Sequence, residues 1–410
     1  MSLSSENTFD VVIVGGGPSG ATAAHDLART GRSVLLLDRA GRIKPCGGAI
    51  PPRLMKDFEI PESILVARAT SARMIAPSNR EVDMPIDGGY VGMVDRESFD
   101  EWLRVRAVNA GADRRTGVYD RIERDPDGTA VVCYRAGAHR DASDDETATD
   151  AVVRVRARTV IGADGARSQV ARQTLKGADK VPCVFAYHEI VKAPRAGAEG
   201  RDFDGRRCDV FYQGKLSPDF YAWIFPHGDT ASIGVGSARK GFSLRGAIKS
   251  LRAEQGLAGC ETIRREGAPI PLKPLKRWDN GRDIVVAGDA AGVVAPASGE
   301  GIYYAMVGGR LAAEAVEARL ATGDVRSLRL ARKRFMKAHG KVFFILGIMQ
   351  HFWYRTDKRR ESFVKICADP DVQRLTWQAY MHKELVRADP VAHARIFFKD
   401  MGHLLGFATP

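Results

Sequence analysis

The apolar positions of the first forty residues form two short runs separated by a helical period. Residues 11–14 (VVIV) are a β-branched run, as in a strand buried on both faces. Ala21, Ala24, Leu27 and Ala28 recur at helical spacing and predict a helix over 19–30, stopped by Gly31. A second run, 34–37, predicts a strand that Asp38 ends. Between the first run and the helix stand Gly15, Gly17 and Gly20, in G-x-G-x-x-G spacing. Gly15 permits a tight turn out of the strand, Gly17 lets backbone approach a pyrophosphate, and Gly20 lets the helix pack on the sheet. The helix start, with Pro18 and Ser19, offers free N–H groups and a positive dipole end to phosphate. Asp38 lies 18 residues past Gly20, where an acid accepts hydrogen bonds from a ribose diol; Arg39 is beside it. A glycine motif alone is weak evidence. Its place after a strand, before a helix, and ahead of a strand and an acid marks a dinucleotide site, without saying which dinucleotide.

Periodicity continues less regularly. Two glycines and three prolines in KPCGGAIPPRLM (44–55) exclude regular structure around Cys46 and place a loop at the carboxyl end of a parallel sheet, where ligands bind. Alternation over 62–94 predicts a hairpin in a second domain, and 95–110 a helix with Asp95 as its N-cap. Strands are expected over 118–134 and 151–160, around a turn at Pro126-Asp127-Gly128, with an acidic polar loop at 139–150. Residues 159–172 carry a strand ending at Ala163-Asp164-Gly165, with a helix from Ser168. Short aromatic-rich strands over 182–236 predict an antiparallel sheet, and 244–256 a helix. A strand at 284–287 runs into Gly288-Asp289, and Gly299-Glu300-Gly301 then opens an apolar helix at Ile302. The remainder, 325–410, reads as helical. The expected fold is α/β: a Rossmann-like dinucleotide-binding domain with an inserted antiparallel-sheet substrate domain. The first is discontinuous (1–50, 90–175 and 276–330), the second spans 51–89 and 176–275, and a helical region follows (331–410).

Length and charge narrow the classes. A chain of 410 residues exceeds one ordinary core. Six cysteines are scattered with no C-x-x-C, which argues against a disulfide framework or a metal site and fits a reducing, cytoplasmic compartment. Residues 1–10 have neither a basic nor an apolar signal segment, so no secretory signal is expected. No apolar run approaches the ~20 residues of a membrane span. Net charge is nevertheless +12, and residues 331–360 hold nine Lys or Arg against one acid, interleaved with six aromatics. That pattern suits peripheral binding to an anionic membrane surface, with Phe352, Trp353 and Tyr354 at the interface. A solvated helix is the bland alternative. Nucleic acid is not expected, because no binding motif accompanies the charge.

The three glycine-and-acid stretches each follow a strand, and strand ends of one parallel sheet converge on one crevice. Asp38 suits an adenosine ribose, Gly288-Asp289 a second sugar chain near the pyrophosphate. The Gly299–Gly301 turn suits a ring edge that gains negative charge on reduction. The order of these motifs over about residues 1–310 resembles flavoproteins of the p-hydroxybenzoate hydroxylase type. GGGPSG (15–20), DGARS (164–168) and GDAA (288–291) match that class's FAD motifs, although its acid after the second strand is more often Glu than Asp. The resemblance implies a flavin contact from Arg96, a backbone contact to adenine at Val118, and FAD contacts at Asp164 and Gly165. Within that class KPCGGAIPPRLM, YVGMVDRESFDEWL (90–103), YAWIFP (221–226) and APASGEGIYYAM (295–306) resemble the geranylgeranyl reductase family, closest to its (bacterio)chlorophyll branch.

The resemblance implies reduction of isolated C=C bonds in a geranylgeranyl chain, free as diphosphate or attached to (bacterio)chlorophyll, with NADPH as reductant. Such an alkene is unactivated, so the protein must supply a proton and exclude water. Cys46, beside Gly47, is the candidate proton donor or positioning residue; packing in a Gly-Gly turn is the alternative. Tyr221 and Trp223 share a strand face with Phe225, as a wall for an isoprenoid or as plain core. The competing functions are an FAD-dependent aromatic monooxygenase, an archaeal-type prenyl-lipid reductase and a non-enzymatic flavin protein.

Overall fold

The computed structural model describes residues 7–39, 41, 43–137, 152–194 and 203–383; the polar loop expected at 139–150 lies outside them. The chain divides into two compact units. The first comprises Met1–Ile43, Glu97–Cys183 and Pro269–Ile345; the second Lys44–Arg96, Val184–Ala268 and Leu346–Pro410. Residues 44–50 and 90–96 thus go with the second unit, and the helical tail is divided between the two.

The first unit is built on strands β1 (Thr8–Val14), β2 (Val34–Asp38), β8 (Asp113–Arg124), β9 (Ala130–Ala136), β10 (Val152–Gly162) and β16 (Ile284–Val286). The order β8-β2-β1-β10-β16 is parallel throughout, with Val14 opposite both Leu37 and Gly162. This is the doubly wound order, in which strand carboxyl ends line a ligand crevice. Strands β8 and β10 extend past the parallel part, and β9 joins them antiparallel there. Helices α1 (Pro18–Arg29) and α6 (Ile302–Thr322) pack on each other, and α3 (Arg96–Asn109) and α4 (Gln169–Thr174) complete the unit. Small residues on α6 set the approach: a Cβ on Gly309 would stand 2.1 Å from Ser19 O. Apolar residues 11–14 and 34–37 are buried, each contributing about 1.5–3 kcal/mol.

The second unit has a seven-stranded sheet, β15-β11-β14-β13-β12-β5-β6. Its strands are β5 (Ser71–Ile75), β6 (Glu81–Pro85), β11 (Cys183–Lys192), β12 (Arg207–Phe211), β13 (Ala222–His227), β14 (Thr230–Ser237) and β15 (Thr262–Pro271). The hairpin expected over 62–94 is β5–β6. Its last part, β7 (Val91–Met93), instead pairs with β3 (Ala49–Ile50) and β4 (Ala67–Ala69) in a separate small sheet. The seven-stranded sheet is not wholly antiparallel, since β5 and β12 run parallel. These two belong to chain segments separated by part of the first unit, so no hairpin dictates their direction. One face is covered by α5 (Leu244–Glu254), in a core that includes Ala222, Ile224, Ile233, Ala247 and Leu251. Phe225 faces the other way, with Trp377, Tyr380 and Met381 of α9 (Pro370–His382). Helices α2 (Pro52–Asp57), α7 (Arg329–Trp353) and α8 (Asp357–Ile366) are the remaining α-helices among the described residues.

Candidate active site

The glycine-rich turn lies in the first unit. Gly15 has φ +108°, and its N–H donates to Leu37 O at 2.8 Å, closing the turn between β1 and α1. A Cβ on Gly15 would be 2.3 Å from Ala163 O, and one on Gly20 would be 1.8 Å from Gly15 O. A Cβ on Gly17 would meet nothing within 4 Å. Two glycines are therefore required by the protein's own packing, and the third leaves open space. Gly17 is the N-cap of α1 with no side-chain cap, and Pro18 fills the first helical position. Ser19 Oγ is buried without a hydrogen-bond partner among the described residues. An uncapped helix start, open space above Gly17 and an orphaned hydroxyl fit a pyrophosphate.

The second and third stretches close on this turn. Ala163 N–H donates to Val14 O at 2.8 Å, which sets Ala163-Asp164 beside Gly15. The Asp164 carboxylate accepts from Gln169 N, Val170 N and the Ser168 hydroxyl, so it anchors the start of α4. Gly165, at φ +88°, has open space where a Cβ would stand. Gly288 has φ +63°, and its Cβ would be 2.7 Å from Ser19 Cβ. Asp289 is buried, and a Cβ on Gly301 would lie 3.8 Å from its Oδ1. Gly301 is the N-cap of α6, again without a side-chain cap, and Ile302 begins the helix. Gly299 (φ +66°) and Ala297 (φ +61°) shape the loop before it.

At the end of β2, Asp38 folds against Gly16, whose Cβ would be 2.8 Å from the carboxylate. Arg39 follows at the strand end, half-buried. Val118 is two residues beyond Thr116, the partner of Asp38, on neighbouring β8. Arg104 was not anticipated. Its Nη1 donates to Asp38 Oδ2 at 3.1 Å and Gly16 O at 3.3 Å, and its Nε to Glu101 Oε2. Glu101 is fixed in turn by two bonds from Arg114. Those bonds first, and then Arg104's, hold its carboxyl down to about 2 against the opposing effect of burial. The only sequence signal for Arg104 is a basic position on the 95–110 helix, which does not distinguish it from a solvated one.

A second cluster lies in the other unit. The Cys46-Gly47-Gly48 turn leads into β3 and is fastened on two sides. Val94 N–H donates to Gly48 O at 2.9 Å, and His227 Nε2 lies 3.0 Å from Gly47 O. Gly48 N–H points at Cys46 Sγ, 3.4 Å away; the thiol is free and half-buried. Gly47 sits on Phe225, where a Cβ would be 2.7 Å from the ring, and Gly48 needs its φ of +75°. Tyr221, Trp223 and Phe225 do form a row, with centroids 5.9 and 6.2 Å apart. Trp223 is the most buried of the three and lies across Gly234, where a Cβ would be 2.0 Å from the indole. Its Nε1–H donates to Ser232 Oγ at 3.2 Å, Ser232 meets His188 Nδ1 at 3.1 Å, and His188 Nε2 meets Glu266 at 2.6 Å. Arg264 pairs with Glu266 and with Asp95, extending the chain of bonds. Arg96, next to Asp95, is buried and opens α3. Among the described residues no His, Cys, Asp and Glu group is arranged to hold a metal ion.

Of the three aromatics expected at a membrane interface, two are buried and Phe352 is half-buried. Trp353 and Tyr354 are buried, with Phe363 and Tyr212 against them, and Phe352 lies under Arg359 at 4.2 Å. Arg360 is buried too, donating to the carbonyls of Ser217, Pro218 and Tyr354 and to Asp357. The residues that are exposed lie earlier on α7: Phe344 (70%), Ile345 (43%) and Ile348 (54%).

Comparison with known proteins bears on both clusters. The FAD binding domain family matches residues 8–181. The geranylgeranyl diphosphate reductase of Rhodobacter capsulatus is 56% identical over 402 residues, 98% of this chain and 99% of that one. The chloroplastic geranylgeranyl diphosphate reductase of Oryza sativa subsp. japonica is 35% identical over 418 residues, 98% of this chain and 88% of that one. A geranylgeranyl bacteriochlorophyll reductase-like protein from Thermoplasma acidophilum shares the fold, with a TM-score of 0.78 at 22% identity over 94% of this chain and 99% of that one.

Proposed function

Since the chain belongs to the geranylgeranyl diphosphate reductase family, we propose that it saturates C=C bonds of a geranylgeranyl chain toward phytyl in (bacterio)chlorophyll formation. It is an FAD-dependent oxidoreductase. The observation that carries the reading is 56% identity over both units, the Cys46 turn and its aromatic row included, rather than over the FAD-binding segment alone. The substrate is geranylgeranyl diphosphate or the geranylgeranylated pigment, and NADPH is the proposed reductant, on the resemblance of the motifs.

Bound and reduced, FAD supplies the hydride for one alkene carbon. The residues proposed to hold it are Gly15, Gly17, Pro18, Ser19 and Gly20 at the pyrophosphate, and Asp38 with Arg39 at the adenosine ribose. Val118 is assigned to adenine. Asp164 and Gly165 are proposed FAD contacts on the resemblance of their motif, Gly288 and Asp289 are assigned to the sugar chain, and Arg96, Gly299, Gly301 and Ile302 to the ring. Cys46 is proposed to deliver the proton to the other alkene carbon. Tyr221 and Trp223 line the isoprenoid and exclude water, and Gly47 allows the turn to lie on the same row. The test is turnover of the holoenzyme with NADPH. Geranylgeranyl diphosphate or its pigment ester should gain mass in steps of two hydrogens without consumption of oxygen. Oxygen uptake dependent on an aromatic substrate, with no change in prenyl mass, would favour the monooxygenase reading instead.

We also propose that the enzyme works at an anionic membrane surface. No helix among the described residues is long and apolar enough to cross a membrane. Support comes from α7, which carries six Lys or Arg and no acid, and which exposes Phe344, Ile345 and Ile348.

A further inference from the structure

We propose that His227 is a positioning residue for the reduction, holding the Cys46-Gly47-Gly48 turn through the Gly47 carbonyl. This rests on the reading that Cys46 acts at the reacting alkene. A carbonyl oxygen only accepts, so His227 Nε2 carries the hydrogen in the 3.0 Å contact with Gly47 O. In the neutral ring Nδ1 is then a bare lone pair, and it is buried with no partner among the described residues. A protonated ring would place a second N–H there with nothing to receive it, so this environment selects the neutral Nε2–H form. His227 itself is 6% exposed and fixed as the last residue of β13.

The turn has few other fastenings. Val94 holds Gly48 from β7 through backbone. Phe225 supports Gly47 by contact, which resists approach but does not fix direction. Among these contacts the His227 imidazole is the side chain that donates a directional bond to the turn. Without it the Gly47 carbonyl is left unpaired, and the Gly47–Gly48 peptide, whose N–H meets Cys46 Sγ, is free to rotate away from the aromatic row. A displacement of about 1 Å at such a position is enough for roughly a hundredfold loss of rate.

The test uses the FAD-loaded enzyme with three substitutions. Glutamine places an amide N–H where Nε2 stands; asparagine is too short to reach Gly47, and leucine offers no donor. Two readouts are taken: anaerobic reoxidation of reduced flavin by geranylgeranyl diphosphate, and the rate of Cys46 alkylation by iodoacetamide, mapped by peptide mass. His227→Leu and His227→Asn should slow reoxidation roughly 10–100-fold at saturating substrate. They should also change Cys46 alkylation, while FAD content stays unchanged. His227→Gln should restore both. Equal behaviour of all three variants, or wild-type alkylation and reoxidation in His227→Leu, would overturn the proposal. A Cys46→Ala control separates the two readings. If it reoxidises at the wild-type rate, the role of Cys46 fails, while the alkylation series still decides whether His227 holds the turn.

Discussion

Gly15 and Gly17 are two residues apart, yet a methyl group means different things at each. At Gly15 it meets Ala163 O at 2.3 Å on a φ of +108°, so Gly15→Ala should compromise folding of the unit. At Gly17 it meets nothing of the protein, so Gly17→Ala should fold at a cost of about 1 kcal/mol in helix capping but bind FAD roughly tenfold or more weakly. Equilibrium flavin binding and a melting curve on one sample separate the two effects. Asp38→Ala should weaken FAD by about 1.5–3 kcal/mol, the scale of a hydrogen bond to a charged acceptor, and flavin titration reads it. Retention at wild-type affinity would remove Asp38 from the site. The glycine turn was legible because its spacing alone implies it. Arg104 was not, because its partners Asp38 and Gly16 are brought to it by folding. At His227 burial, the largest influence, pushes the ring below its ordinary 6.5; the Gly47 carbonyl and Asp95 oppose this, and His188 and Arg264 add to it. The unfolded chain therefore takes up a proton near 6.5 that the folded chain takes up only at lower pH. The stability is fully present above that pH and declines below it, by up to about 1.4 kcal/mol per pH unit. His227→Gln lacks this loss, so its unfolding free energy should depend less steeply on pH below 6.5. Parallel curves would show that the folded ring accepts the proton.

At the scale of elements, β1, α1 and β2 were readable because each shows one strong period with glycine punctuation at its ends. Helix α7 shows where that reading stops. Its basic residues alternate with aromatics, and the sequence alone does not say which aromatics face inward. Phe335, His339 and Phe343, four residues apart, form the buried stripe, while Phe344, Ile345 and Ile348 lie on the opposite side. Trp353 and Tyr354 are drawn inward against Phe363 of α8. A membrane test aimed at residues 352–360 would therefore strip Arg360 from three backbone carbonyls, each costing about 1–3 kcal/mol when left unpaired, and would report unfolding. The informative variant is Phe344→Asp with Ile345→Asp and Ile348→Asp. The wild-type protein should bind anionic vesicles with a contribution of about 1 kcal/mol from each basic group near the surface, declining with salt. The triple variant should be released with FAD retained. Equal sedimentation of both proteins with anionic vesicles, or equal wild-type binding to neutral ones, would assign α7 to solvent.

For the whole molecule, the α/β architecture and the FAD-binding segment followed from motif order, since each glycine turn must follow a strand to work. The division of the chain was harder to read. The small sheet β3-β7-β4 takes residues 49–50 and 91–93 into the second unit, a pairing between distant segments that no local pattern announces. The parallel β5–β12 pair is hidden for the same reason. The central claim is that electrons leave the flavin for an isolated alkene, and an anaerobic single turnover tests it most directly. The bound flavin is photoreduced, geranylgeranyl diphosphate or the geranylgeranylated pigment is added, and the flavin spectrum and product mass are followed together. The expected result is return of the oxidised flavin spectrum with a gain of two hydrogens per flavin. A flavin that stays reduced with both substrates, and reoxidises only when oxygen is admitted, would contradict it.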